Sequence, residues 1–89
     1  MIGERMVRLN NFYDFKVAWC KICDQGWVTI VKDPVTNQYS VMCEECETEW
    51  DHPLHAQLEI NSKAPEHQVV TPSAEEIQQI EWDEYIIKN

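Results

Sequence analysis

A small β-rich domain closed by a C-terminal α-helical segment is the fold class this chain predicts, and three observations predict it. All four cysteines fall in two Cys-x-x-Cys pairs, Cys20/Cys23 and Cys43/Cys46. Two runs rich in β-branched and aromatic residues, 27–32 and 38–43, lie between the pairs around a turn. A capped amphipathic stretch follows at 73–87. With 89 residues the chain has room for one domain, 1–89. Chains of this size bury little and commonly rely on a metal or on disulfides.

The cysteine spacing says which staple to expect. Residues 24–42 separate the two pairs, a spacing that reads as a tetrahedral zinc site. Two residues between thiols let each pair wrap one side of a small ion. The long loop brings the second pair back to the first. Zinc held by four thiolates is a closed structural site with no open position for a substrate. Two disulfides are the alternative and would suit a secreted chain. The first eleven residues, however, contain no apolar run or small-residue cleavage site. A metal ion in a reducing cytoplasm is therefore the expectation. A rubredoxin-like iron site is a rival; knuckles of that type carry glycine directly after the second cysteine, where Asp24 and Glu47 stand here.

Before the first pair the signals are mixed. Met6, Val7 and Leu9 suit a short strand or loose packing, Asn10-Asn11 a turn, and Phe15 to Trp19 a strand entering the first knuckle. Gly26, one of two glycines, is expected at a positive φ in the knuckle turn. Trp27 to Lys32 reads as a strand, 33–37 as a turn containing Pro34 and Asn37, and 38–43 as the returning strand. Both faces of this hairpin carry apolar groups, and a bare ribbon would expose one of them, so another part of the chain or a partner must cover it.

After the second pair, 47–51 is expected to continue as a third strand. Period two then places Cys46, Thr48 and Trp50 on one face and Glu45, Glu47, Glu49 and Asp51 on the other. The second set would form a row of carboxylates. His52 and His55 read as a polar turn, since four thiolates already complete a tetrahedron. Residues 56–72 read as a linker or irregular segment, with His67 carrying no signal. Ser73 and Glu76 fit a capping box. Ile77 and Ile80 share a helical face, and Trp82, Tyr85 and Ile86 follow at a spacing that implies a kink or second short piece. This tail is the expected cover for one hairpin face.

Charge bounds the partners. Seven basic and sixteen acidic residues give a net charge of −9. Four thiolates and one Zn²⁺ would change it by −4 + 2 = −2. The basic residues form no stripe, so direct nucleic-acid binding is disfavoured and a basic protein partner is favoured. The surface expected to meet it is Glu45, Glu47, Glu49 and Asp51, with Trp50 as a possible anchor; the alternative is a solvated strand edge that blocks edge-to-edge pairing. No phosphate loop or nucleophile constellation stands out, and the cysteines are committed to metal, so the chain is expected not to be an enzyme. No apolar run reaches membrane-spanning length.

The stretch from Trp19 to Trp50 resembles the zinc-ribbon class, through Cys20, Cys23, Gly26, Cys43, Cys46 and the hairpin between them. That resemblance implies a ribbon over 15–51, one structural Zn²⁺ on the four cysteines, and a helical tail packed upon it. The wider layout, at Trp19 to Val28, Cys43 to Trp50 and Pro72 to Ile86, is similar to small bacterial proteins of toxin-immunity cassettes. That likeness implies an acidic cytoplasmic protein that binds and neutralises a basic toxin. A zinc ribbon within a transcription or RNA-processing complex is the other reading.

Overall fold

Among the described residues, four strands follow one another in a single antiparallel sheet, in the order β1-β2-β3-β4. They are β1 (Lys16–Trp19), β2 (Trp27–Lys32), β3 (Tyr39–Cys43) and β4 (Glu49–Trp50). The computed structural model describes residues 15–65 and 68–87. The expectations at Met6 to Asn11 and at His67 lie outside the described residues. Valine, isoleucine and threonine make β2 a natural central strand, because branched side chains pack well on a pleated surface. Asp33 Oδ1 accepts from the Val35 amide at 2.8 Å, and Asn37 takes a left-handed φ of 65°, which turns the chain back into β3.

Register sorts the side chains into two faces. Val28 pairs with Cys43, and Ile30 with Val41, which in turn pairs with Trp50. Thr29 pairs with Met42, which pairs with Glu49, and Val31 pairs with Ser40. The first set forms the main core with Val17, Ala18, Ala56 and Ile77. Each fully buried Val, Ile or Trp in it contributes about 1.5–3 kcal/mol. The register between β1 and β2 shifts between Lys16 and Ala18. Such a bulge lets two successive residues face the same side, which explains why Val17 and Ala18 are both buried.

Two short helices cover this core face. Helix α1 (Pro53–Leu58) packs against β1, β3 and β4. His52 Nδ1 accepts from the Leu54 amide at 3.0 Å, and Pro53 supplies the fixed φ of a first turn. Helix α2 (Ala74–Gln79) starts on the expected capping box. Ser73 Oγ accepts from the Glu76 amide at 3.1 Å and Glu76 Oε1 accepts from the Ser73 amide at 2.8 Å. It sends Ile77 into the core, followed by a 3₁₀ turn (Asp83–Tyr85) and by Trp82, Tyr85 and Ile86 packed on the same cluster. The two α-helices among the described residues close alike. Ile60 N–H returns to the His55 carbonyl beside left-handed Glu59, and Trp82 N–H to the Ile77 carbonyl beside left-handed Glu81.

The stretch 56–72 differs from the expected irregular linker. Its first residues belong to α1, because Pro53 and Ala56 find a buried face there. Beyond the helix, Lys63 exchanges both backbone hydrogen bonds with Glu49 on the outer edge of β4. Val70 does the same with Lys32 at the end of β2. Residues 63–65 and 68–70 lie as a strap over the second sheet face, with Val69 and Pro65 beside Met42. At the opposite edge, the Lys16 carbonyl accepts from the Ile87 amide and the Val17 carbonyl from Gln57 Nε2.

The expected strand at 47–51 is shorter than its sequence implied. Only Glu49 and Trp50 pair with β3. Glu47 has φ 62°, a knuckle conformation incompatible with a strand.

Candidate metal centre

Each Cys-x-x-Cys pair sits on a hairpin-like turn between strands, and the two turns repeat one hydrogen-bond pattern. In the first, the Cys20 amide donates to Gly26 O and the Asp24 amide to Cys20 O. In the second, the Cys43 amide donates to Thr48 O and the Glu47 amide to Cys43 O. Asp24 and Glu47 both occupy the left-handed region, at φ 56° and 62°. These are the positions where glycine was expected for an iron-type knuckle. The backbone takes that shape without glycine, so the missing glycines do not discriminate between metals.

The two knuckles are tied directly to each other. The Glu44 amide donates to Trp27 O, and the Trp27 amide donates to Glu44 Oε2, both at 3.0 Å. Trp19 and Trp27, cross-strand partners at the neck of the first knuckle, meet edge to face at 5.0 Å, and Trp19 Nε1 donates to Asp24 Oδ1 at 2.7 Å. Gly26 serves a purpose other than the expected positive φ, which it does not have. A β-carbon there would meet Glu45 Cγ at 2.6 Å and Glu44 Cγ at 3.1 Å. The glycine lets one knuckle pass close to the other.

The result is a cluster in which all four sulfurs lie within 4.8 Å of one another. Cys20 Sγ is 3.7 Å from Cys46 Sγ, and Cys23 Sγ is 3.6 Å from Cys43 Sγ. A disulfide needs about 2.05 Å, so these are four free thiols. Four thiolates at about 2.3 Å from one metal form a tetrahedron with edges of about 3.8 Å. The donor set and the spacing therefore fit a four-coordinate metal ion, to be held by Cys20, Cys23, Cys43 and Cys46.

Hydrogen bonds to the sulfurs favour thiolates, and burial opposes them. The Cys43 sulfur accepts from the Glu45 and Cys46 amides at 3.3 and 3.5 Å. Thr48 Oγ lies 3.1 Å from Cys46 Sγ. Burial pushes the Cys43 thiol up to about 12 and raises Cys20 as well. Burial acts to raise Cys46 too, but hydrogen bonds from Thr48 together with those shared with Cys43 and Cys20 bring the thiol down to about 7. A metal cation held by the four sulfurs would supply the positive charge that the buried thiolates need.

The expected acidic row does not form. Glu49 is only 2% exposed, because the strap crosses its face; its Oε2 accepts from Ser40 Oγ at 2.6 Å. Trp50 is likewise 2% exposed and belongs to the core, so it is no surface anchor. Glu45 and Glu47 are exposed beside the second knuckle. Asp51 is exposed too, at the far end of β4, and accepts from Lys63 Nζ at 2.6 Å. Sequence reasoning set Thr48 on the Cys46 face and Glu44 beside the carboxylates, and missed that they support the sulfur cluster and the first knuckle. A hydroxyl two positions after a ligand and a carboxylate beside one were the available signals.

The fold and the cluster together define a small β-rich domain with a four-cysteine site able to hold a metal. No protein-family model, curated protein or solved structure matches the chain. Among the described residues no helix is long and apolar enough to cross a membrane.

Proposed function

We propose that the chain is a zinc ribbon whose single structural Zn²⁺ sits on Cys20, Cys23, Cys43 and Cys46, and that it works as a non-enzymatic module for a basic protein partner. The observation that carries this reading is the closed sulfur cage, with its edges of 3.6 and 3.7 Å. Four thiolates leave no coordination position for a substrate. The metal then organises the domain, and function falls to the surface it displays. With a net charge of −9, that surface attracts and orients a cationic protein. Glu45 and Glu47, exposed on the second knuckle, are the residues we assign to the contact. In its most specific form the partner is a basic toxin, and the module is its immunity protein.

Metal analysis of protein produced without added zinc tests the first half. One equivalent of zinc is expected; red protein with one equivalent of iron overturns it. Titration calorimetry against a basic protein encoded next to this chain tests the second. Reversing Glu45 and Glu47 to lysine should weaken the complex at least about tenfold. An unchanged affinity removes the acidic knuckle from the interface.

A further inference from the structure

Between the strap and the second sheet face lies a cavity of about 180 Å³. Its walls include Thr29, Val31, Met42 and Val69, with Glu44 and Glu47 beside them. A wider recess of about 380 Å³ shares Met42, Glu47 and Val69 with it. Thr29 is 1% exposed, yet its hydroxyl has no hydrogen-bond partner among the described residues. In the same cross-strand row, Met42 separates Thr29 from Glu49, whose Oε1 is also buried without a partner. Buried polar atoms are nearly always paired. Of these two oxygens, the Thr29 hydroxyl belongs to a residue that lines the cavity, and it lacks a hydrogen-bond donor there.

We infer that this cavity is a binding site for an aliphatic ammonium group, presented as a lysine side chain of the basic partner. The lining separates into two chemistries that such a group combines. Val31, Met42 and Val69 offer apolar surface to a methylene stem. The Thr29 hydroxyl and the Glu44 and Glu47 carboxylates offer acceptors to three N–H donors. Glu44 Oε2 already accepts from the Trp27 amide, which holds that carboxylate in place. No lysine or arginine is among the described lining residues, which carry the two carboxylates of Glu44 and Glu47. The volume suits one side chain rather than the larger ligands that fill pockets of about 300–1,000 Å³. Methionine is the most adaptable apolar wall, and Met42 stands between the two unpaired oxygens.

The inference deepens the basic-partner reading and names the group that would enter. It is tested on the full, metal-loaded chain with n-butylammonium as the probe. Methyl NMR of Thr29, Val31, Met42 and Val69 is followed during titration, with n-butanol as the neutral control. Saturable shifts are expected with the ammonium. Binding should be at least about tenfold weaker for butanol, and for butylammonium on Thr29→Val or Glu47→Gln. Equal binding of butanol reduces the site to an apolar gap and overturns the inference. So does the absence of methyl shifts up to about 100 mM ammonium, or full retention of binding in both variants. Should Thr29→Val not fold, Glu47→Gln alone decides. A partner complex that survives a negative titration keeps the module reading and removes only the cavity; loss of the partner with intact ammonium binding does the reverse.

Discussion

Gly26 and Glu45 stand back to back across the two knuckles, so close that a β-carbon on the glycine would lie 2.6 Å from the glutamate Cγ. Glu45 lies inside the Cys43–Cys46 turn, so pushing it away displaces the second cysteine pair relative to the first. Gly26→Ala should therefore lower the stability of the metal-loaded protein by about 1–3 kcal/mol, the usual cost of forcing an atom into a packed site. It should also weaken metal binding. Chemical denaturation and competition with a chromophoric chelator measure the two effects. A neutral result would mean that Glu45 swings aside without moving the turn.

Removing the metal should unfold the domain. Folding free energy and metal binding are one quantity when the ligands converge only in the folded state. Circular dichroism with and without a strong chelator checks this, and re-addition of zinc should restore the spectrum. A metal-free chain with an unchanged spectrum would show that the sheet stands without its staple.

Thr48→Val should reduce metal affinity about tenfold while leaving the fold intact. Its hydroxyl is 3.1 Å from the Cys46 sulfur, and outer hydrogen bonds of this kind typically contribute a factor of about 10–100. Competition titration of the metal is the measurement, with Thr48→Ser as the variant that keeps the hydroxyl and rescues the affinity.

Lys32 and Glu76 tie β2 to the start of α2. The hydrogen bond from Lys32 holds the Glu76 carboxyl down at about 2, below its ordinary 4.5. The same contact raises Lys32 above its ordinary 10.5. The Glu76 contribution to stability is thus present above pH 4.5 and is lost as pH falls toward 2. The Lys32 contribution is present below pH 10.5 and is lost as pH rises past its raised value. Carboxyl carbon NMR should find Glu76 still ionised at the lowest pH at which the metal stays bound. Lys32→Met should move its midpoint upward. An ordinary midpoint in the parent protein would show that the pair does not form in solution.

Left-handed Glu81 closes α2 at a cost that glycine would avoid. Glu81→Gly should raise stability by about 0.5–1 kcal/mol, the difference between the penalty of a side chain there and the freedom glycine adds to the unfolded chain. Urea unfolding of the metal-loaded variant gives the value. A loss would mean that the Glu81 side chain makes a compensating contact.

The paired cysteines made the sulfur cluster legible before any coordinate, because a two-residue spacing constrains where thiols can go. Branched residues at 27–32 and the Ser73/Glu76 box were equally plain, since both are local. Glu49 was misread for a non-local reason. Alternation correctly opposed it to Trp50, but which face meets water depended on the strap, whose bridges at Lys63 and Val70 leave no periodic trace. The left-handed residues after each pair were hidden too. Glutamate at 47 seldom takes that conformation, and at 24, where aspartate takes it more readily, Gly26 nearby drew the expectation to the wrong position.

The backbone groups at both margins of the sheet have a consequence for recognition. On one side Ile87 and Gln57 occupy carbonyls of β1, and on the other Lys63 pairs with β4. An incoming extended peptide cannot simply add itself as a fifth strand, because the hydrogen-bonding groups it would need at these places are taken. Edge-to-edge growth with further copies of the chain is hindered at the same places.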